Sequence, residues 1–476
     1  MSKNTSKAAL GVFAITMINV IAVDSLRSLP FSASYGLSLI FYYVLAALVF
    51  FLPVAYVTAE LATGWPNKGG IYIWVREAFG EQWGFVVIWL QWVYNIVWYP
   101  TILAFIAGTL TYLINPQLAD DKFFMLSTIL IIFWGATALN FFSLRISSLI
   151  STIGALVGTL LPMLFIILLG FVWILKGNPL QIKMDAQQLF PSLTNINNQA
   201  FLLAVLFGLV GIEVSATHAD EVNCPGKTFP RAILFSTVII FFSLVFSSLA
   251  IAIVIPQQDL NVVTGLIQAF EIFFKQYHLA WITPIITFLI IISGIASVAT
   301  WVISPTKGLL VATRDGSAPP LFGKMNRYGS PVVILLLQAV ICTLLSSVFL
   351  FMPSVSSSYW LLTAMTAQLA MLVYIALFAA AIYLRYKKPQ VKRAFQIPGG
   401  KIGIWIMGIM GMISCIIALL LGFVPPSQIG IGNIYIYEAT LIAGIIGLCL
   451  PPLFIYAWKK PTWKTASTAT FVDEIN

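Results

Sequence analysis

Twelve apolar runs, each long enough to cross a bilayer, narrow the fold of this chain more than any motif does. A spanning helix needs about 20 mostly apolar residues. Such runs lie at approximately 8–34, 37–62, 83–113, 124–142, 150–175, 199–217, 230–255, 281–312, 332–352, 357–384, 402–424 and 435–458, numbered here as spans 1 to 12. Within hydrocarbon every backbone N–H and C=O must be paired inside the protein, which leaves helices or a closed barrel. Barrel strands alternate apolar and polar residues over about ten positions. These runs are continuous, so the barrel is excluded. The 476 residues are 60% hydrophobic and only 9% charged, against roughly 25% charged in soluble domains. The expected fold class is an all-α polytopic membrane protein with twelve transmembrane helices, forming one transmembrane domain. The first run follows Lys3 and Lys7. It is long, lacks a convincing small-residue cleavage site and precedes further spans, so it reads as a retained helix and not a signal peptide.

A net charge of +9 could point to nucleic acid, but the positions of the charges favour a membrane topology. With the N-terminus in the cytoplasm, all of the 25 Lys and Arg residues except Arg27, Lys122, Lys176, Lys183 and Lys275 fall in cytoplasmic segments or at their edges. The densest cluster runs from Arg385 to Lys401. This asymmetry follows the positive-inside rule. It predicts two cytoplasmic termini in a plasma membrane, a bacterial inner membrane being the expected one, and no nucleic-acid partner. Cys224, Cys342, Cys415 and Cys449 have no paired or metal-like spacing, and the two histidines, His218 and His278, are far apart in sequence. No metal site and no cofactor are expected. "PGGK" is no Walker motif, so ATP is not the expected energy source.

Two spans are interrupted by polar residues. Span 1 reads "FAITMINVIAVDSLRSLP", with Asp24, Ser25, Arg27 and Ser28 before Pro30. Span 6 reads "GLVGIEVSATHADEV", where Gly208 and Gly211 precede Glu213, and Ser215, Thr217 and His218 follow. An ionised carboxylate at mid-membrane costs roughly 2.5–3.5 kcal/mol even on the lenient insertion scale. Interrupted helices at matching positions, five spans apart, point to a transporter built from inverted repeats. The expected division is repeat one at about 8–175, repeat two at about 199–384, extra helices at about 402–458 and a short cytoplasmic tail at 459–476. Broken helices at mid-membrane would offer free N–H groups to a carboxylate and free C=O groups to an amine. An amino acid carries both.

Three stretches carry a family resemblance: "AELATGWPNKGGIYIWVREAFGEQWGF" from Ala59, "GIEVSATHADEVNCPGKTFPRA" from Gly211, and "KKPQVKRAFQIPGGKIG" from Lys387. They resemble signatures of the amino acid–polyamine–organocation superfamily, the second and third most closely its glutamate/GABA antiporter family. The resemblance covers nearly the whole chain in consistent order. It implies a 5+5 inverted repeat with broken helices 1 and 6 plus two extra helices, and alternating-access exchange of amino acids and their decarboxylated amines. It also implies site roles for Glu213, for Trp301 in "WVISPTKG" and for Tyr374. Three positions depart from the antiporter pattern. A span-1 tyrosine is replaced by Asp24, a span-8 glutamate by Ser297 and a second span-10 tyrosine by Ala370. The long C-terminal segment that plugs that exchanger is also missing. These departures leave the substrate open.

Several residues have bland readings beside functional ones. Glu213 could be a structural carboxylate, a substrate contact or a proton site. Asp24 and Arg27, three apart, share a face and pair if that turn is helical. Otherwise Asp24 lies at the break and meets a substrate ammonium, with Arg27 nearer the outer vestibule. The stretch "WLQWVYNIVWYP" in span 3 reads as belt or packing aromatics, with Asn95 and Tyr99 able to face the pathway. Glu60, Arg76, Glu77 and Arg145 read as salt bridges or snorkelling groups at cytoplasmic span ends. Asp220 and Glu221, with His218, belong to the end of span 6 and its loop. Segment 264–278 has helical periodicity, with Glu271 and Lys275 at i, i+4, outside the core.

The reading is a secondary amino acid transporter, an antiporter in the first instance and not an enzyme, with an amino acid or amine as substrate. The backbone at Ala22, Val23, Asp24 and Ser25 is expected to bind the carboxylate. The span-6 break at Gly208, Gly211 and Glu213 binds the amine, while Trp301 closes one side and Tyr374 lines the site. Arg27 and Asp24 are the expected gating or ion pair. A proton-coupled symporter of amino acids or polyamines, a sensor without flux, and a channel are the rivals. Protons are a further candidate partner; oligomeric state is left open.

Overall fold

The computed structural model describes residues 10–66, 69–142, 156–191, 196–215, 222 and 224–463. The described residues are helical throughout their regular structure, and the only β pairing among them is two isolated bridges. Eleven helices are long and apolar enough to cross a membrane, and the bent pair Val12–Val23 and Leu26–Ala33, kinked by 43°, supplies a twelfth span.

The expected runs recur as helices. Span 2 is Leu39–Ala46 continued through a π turn, Ala47–Phe51, into Leu52–Gly64. Pro53 has no N–H to give the preceding turn, and a π turn is one way for a helix to absorb that loss. Span 3 is Glu81–Ile114, span 4 Lys122–Phe142 and span 7 Pro225–Ala252. Span 5 is described from a second π turn, Leu156–Leu160, which again precedes a proline, into Leu161–Leu175. Span 8 is Thr283–Arg314, span 10 Val355–Lys387 and span 11 Gly400–Leu421. Span 9 is Val332–Ser346 with Val348–Phe351, and span 12 is Ile434–Cys449 with Pro451–Ala457. Spans 3, 6 and 10 are the most buried and span 12 the least. Span 3 packs along spans 8 and 10 and forms the axis of the bundle.

One face of the bundle carries the basic loops and is tied by ion pairs. "GG" before span 3 sets Gly69 and Gly70 at φ 138° and 48°, where a side chain is disfavoured, and turns the chain into the short helix Ile71–Phe79. From that helix Arg76 reaches Asp315, just past span 8, at 2.6 Å, and the Tyr72 hydroxyl donates to the same carboxylate. Burial first, then Asp315, raises the Tyr72 pKa and keeps the phenol protonated. Glu77 pairs with Lys388 at 2.5 Å. Glu60, almost fully buried, takes Arg385 at 2.5 Å, Arg393 at 3.4 Å and the Ile397 N–H at 2.9 Å. The salt-bridge reading of Glu60, Arg76 and Glu77 is therefore met, while Arg145 lies outside the described residues.

On the opposite face, helix Gly265–Gln276 fills the expected 264–278 segment, with Lys275 and Glu271 paired at 2.8 Å. Gln257 bonds the Ser34 carbonyl there, and Tyr42 bonds Gln199. Cys342 and Cys415 are buried, Cys449 is half-buried and Cys224 is exposed.

Candidate functional site

Span 1 stops being a helix at Asp24. Its N–H still closes the last turn onto the Val20 carbonyl at 2.8 Å, but Asp24 and Ser25 are both extended, with ψ near 120°. Asp and Ser offer the backbone alternatives to a helical bond, so the sequence itself favours a break here. The chain turns helical again over Leu26–Ser28 and Leu29–Ala33, with Pro30 in the first turn, where it needs no N–H. The N–H groups of Ser25, Leu26 and Arg27 meet no acceptor among the described residues.

Span 6 breaks against span 1. Leu202–Gly208 ends as Leu209 and Val210 tighten their bonds to the carbonyls three residues back. Gly211 then takes φ 128°, and residues 212–215 form a tight turn. A Cβ on Gly211 would stand 2.7 Å from the Ala22 carbonyl oxygen, so only glycine lets the two breaks approach this closely. Thr217, His218, Asp220 and Glu221 lie outside the described residues.

A cavity of about 90 Å³ lies between these breaks and spans 3 and 8. From span 1 it is bordered by Ala22, Val23, Asp24, Ser25 and Arg27, and from span 6 by Phe207, Gly208 and Val210. Tyr94, Asn95 and Trp98 border it from span 3, and Ser297 and Trp301 from span 8. At about 10–15 Å³ per water, it has room for several waters or a small polar ligand. Trp98 and Trp301 meet edge to face at 6.3 Å and wall one side. The Trp301 carbonyl has lost its helical donor because residue 305 is proline, and the Tyr99 hydroxyl donates to it instead at 2.8 Å.

The ionisable groups are arranged unequally. Asp24 is 6% exposed, and its two carboxylate oxygens lie 3.0 and 2.9 Å from the Ser243 hydroxyl of span 7. That hydroxyl also lies 3.0 Å from the Ile240 carbonyl, and its one proton serves one acceptor at a time. Arg27 is 3% exposed; its guanidinium sits over the rings of Phe207 and Tyr359 and reaches the Thr363 hydroxyl at 3.4 Å. Its Nε has no hydrogen-bond partner among the described residues. Asp24 and Arg27 do not pair with each other, and no other ionic partner meets either one among the described residues. The extended residues at the break explain this, because helical i, i+3 proximity does not apply across them.

Glu213 is handled differently. Its Oε2 accepts from the Tyr374 hydroxyl at 2.7 Å and from the Gly211 N–H at 3.2 Å, and it does not border the cavity. Tyr374 is packed against Phe50 and does not line the cavity either. The structure therefore gathers Ala22, Val23, Asp24, Ser25, Arg27, Gly208 and Trp301 at one cavity and sets Gly211, Glu213 and Tyr374 behind it as a brace. Tyr94, Trp98, Ser243 and Thr363 were not foreseen. The signal for the first two was present, since positions 94, 95 and 98 share one helical face. Of the two span-3 residues able to face the pathway, Asn95 borders the cavity, while Tyr99 serves Trp301.

Asp24 and Arg27 thus border one small space, and among the described residues neither has an ionic partner. The amino acid permease model matches residues 10–447. The chain belongs to the amino acid permease family. An uncharacterized transporter of Legionella pneumophila is 54% identical over 443 residues, covering 93% of this permease and 95% of that protein. A glutamate/gamma-aminobutyrate antiporter of Lactococcus lactis subsp. lactis is 30% identical over 460 residues, covering 95% and 91%. A probable agmatine/putrescine antiporter of the same organism is 24% identical, covering 83% of each chain. Among solved structures, a manganese transporter of Eremococcus coleocola superposes with TM-score 0.56 over 96% of the permease and 95% of that chain, at 13% identity, and so shares the fold. The superfamily resemblance and the all-helical transporter fold read from the sequence are borne out. At the three departures from the antiporter pattern, Asp24 and Ser297 border the permease's cavity, and Ala370 is buried one turn before Tyr374.

Proposed function

We propose that this permease is an amino acid exchanger whose substrate is a zwitterion held by Asp24 and Arg27. One observation carries the reading. Two buried, oppositely charged groups border the same cavity and, among the described residues, have neither each other nor another ionic partner. A buried charge left without a partner costs several kcal/mol, and a substrate bringing an ammonium to Asp24 and a carboxylate to Arg27 removes that cost on both sides. The free N–H groups at Ser25 to Arg27 add donors for the carboxylate. Antiport follows from the same cost, because the site is expensive to carry across the membrane empty and a returning substrate neutralises it. Access alternates by rocking of two inverted repeats, about 8–175 and 199–384, around the touching breaks. The extra helices, 402–458, lie outside the repeats. Both termini and the basic face lie in the cytoplasm of a bacterial cell.

Counterflow in proteoliposomes over a panel of amino acids and amines tests this. Zwitterionic amino acids exchange, Asp24→Asn raises KM at least tenfold for them, and Arg27→Gln does the same. Exchange of amines without a carboxylate, with Arg27→Gln harmless, would reject the zwitterion in favour of a polyamine substrate. Currents without counterflow would reject exchange altogether.

A further inference from the structure

A second, much larger recess lies on the outer surface of the bundle, away from the site. It holds about 650 Å³ between spans 2, 6 and 11. Its floor is Leu45 and Val49 of span 2 and Leu202 and Leu206 of span 6, and one wall is a stripe of span 11. In that stripe Trp405, Ile409, Ile413 and Ile417 recur every fourth residue, so one helical face lines the groove along its length. From Lys401 to Ile417 that face runs about 24 Å at 1.5 Å per residue, the reach of a long acyl chain.

The end at the basic face is different in kind. Lys401 stands there with its ammonium 5.2 Å from the Tyr386 ring centroid. Trp405 Nε1 donates to the Tyr386 hydroxyl at 2.8 Å, leaving the phenol proton free to donate elsewhere. Several neighbouring cations are already paired, Arg385 and Arg393 with Glu60, Lys388 with Glu77 and Lys459 with Glu81, and Lys392, exposed in the same loop, does not line the groove. Among the described residues no carboxylate pairs with Lys401. An apolar slot of acyl length thus ends in an unneutralised ammonium, a phenol donor and a tryptophan, the pair of aromatics that settles at headgroup depth.

We propose that this groove binds one anionic diacyl phospholipid, its phosphate on Lys401 and Tyr386 and an acyl chain along Trp405 to Ile417. The charge argues against a zwitterionic lipid, whose own cation would compete with Lys401 for the phosphate, and basic recesses at the cytoplasmic side of helix bundles suit anionic headgroups. The proposal does not rest on the substrate reading. It does put the lipid against Leu202 and Leu206, on the half-helix whose other end, Gly208, borders the cavity.

Native mass spectrometry of the full chain tests it, after extraction from vesicles of equimolar phosphatidylglycerol and phosphatidylcholine. Retained phosphatidylglycerol exceeds phosphatidylcholine, and Lys401→Gln reduces that ratio about fivefold, the size expected of one near-surface lysine. Lys392→Gln, which removes an exposed charge of the same loop without lining the groove, leaves the ratio unchanged. Ile409→Trp fills the slot and lowers retention of both lipids, so it separates the groove from the headgroup contact. Equal retention of the two lipids by the native chain overturns the proposal. So does an equal loss in Lys401→Gln and Lys392→Gln, which would mean diffuse attraction only. Lipid-free dimers crosslinked through span 11 would overturn it as well, with a second copy as the occupant.

Discussion

Asp24 and Glu213 are both buried carboxylates in broken spans, yet their surroundings give them different work. Asp24 borders the cavity with one serine hydroxyl as its donor, while Glu213 ties Tyr374 of span 10 to the Gly211 N–H behind it. A group that touches substrate should act on affinity, and one that braces a moving joint should act on turnover. Asp24→Asn is therefore expected to raise KM for exchange at least tenfold, a loss of about 1.4 kcal/mol. Glu213→Gln keeps a carbonyl that can accept from Tyr374, so KM should stay within about threefold while kcat falls roughly tenfold. Tyr374→Phe should reproduce the Glu213→Gln profile. Steady-state counterflow of the three variants decides the matter: a KM effect from Glu213→Gln larger than that from Asp24→Asn would return Glu213 to the substrate. The sequence could not separate the two carboxylates. Which one borders the space depends on how Gly211 at φ 128° turns the chain, and no residue pattern encodes that rotation.

At the scale of elements, the twelve apolar runs and both breaks were legible because hydrophobic length and helix-competing residues are local properties. The contents of the site were not, since they depend on which helix faces meet. Asp24 and Arg27 show the difference: their spacing suggested a pair, but extended backbone at Asp24 and Ser25 sends the side chains to Ser243 and Thr363. Span 3 shows it again, where a stretch rich in aromatics supplies Tyr94 and Trp98 to the cavity and Tyr99 to a carbonyl. That last bond is open to test. Tyr99→Phe leaves the half-buried Trp301 carbonyl without its Tyr99 donor, which should cost about 1 kcal/mol and lower the thermal midpoint. In a Pro305→Ala background residue 305 regains an N–H for that carbonyl, and the penalty should largely disappear. An equal penalty in both backgrounds would mean that Tyr99 matters for packing alone. The glycines of span 6 divide in the same local way. Gly211→Ala meets both a disfavoured φ and a carbonyl at 2.7 Å, and should cost about 1–3 kcal/mol or more with loss of flux. At Gly208 the nearest atoms to a new Cβ, on Ser28, are 3.5 Å away, so Gly208→Ala should keep the native thermal midpoint.

For the whole molecule, the ion pairs of the basic face join elements from both ends of the chain, and they differ in burial. Glu60 is 3% exposed and holds Arg385, Arg393 and a backbone N–H, so it fastens span 2 to the segment between spans 10 and 11. Arg76 and Asp315 are 29% and 22% exposed and join the short helix Ile71–Phe79 to the end of span 8. Breaking a buried pair leaves a stranded charge and costs about 3–5 kcal/mol, whereas half-exposed pairs are worth about 1 kcal/mol or less. Glu60→Gln should therefore lower the thermal midpoint markedly, and Arg76→Ala hardly at all. If the Arg76–Asp315 link is a latch between rocking halves, its loss should instead shift the population open to the basic face, about fivefold for 1 kcal/mol. A cysteine at Ser297, on the cavity wall of an otherwise cysteine-free chain, reports this through its labelling rate with an impermeant thiol reagent. Labelling from the basic face should rise severalfold in Arg76→Ala and equally in Asp315→Asn. The double variant should add nothing further, because either single change has already opened the pair. Additive increases would mean that the two residues act separately, and an unchanged rate with an unchanged midpoint would leave the pair as surface decoration.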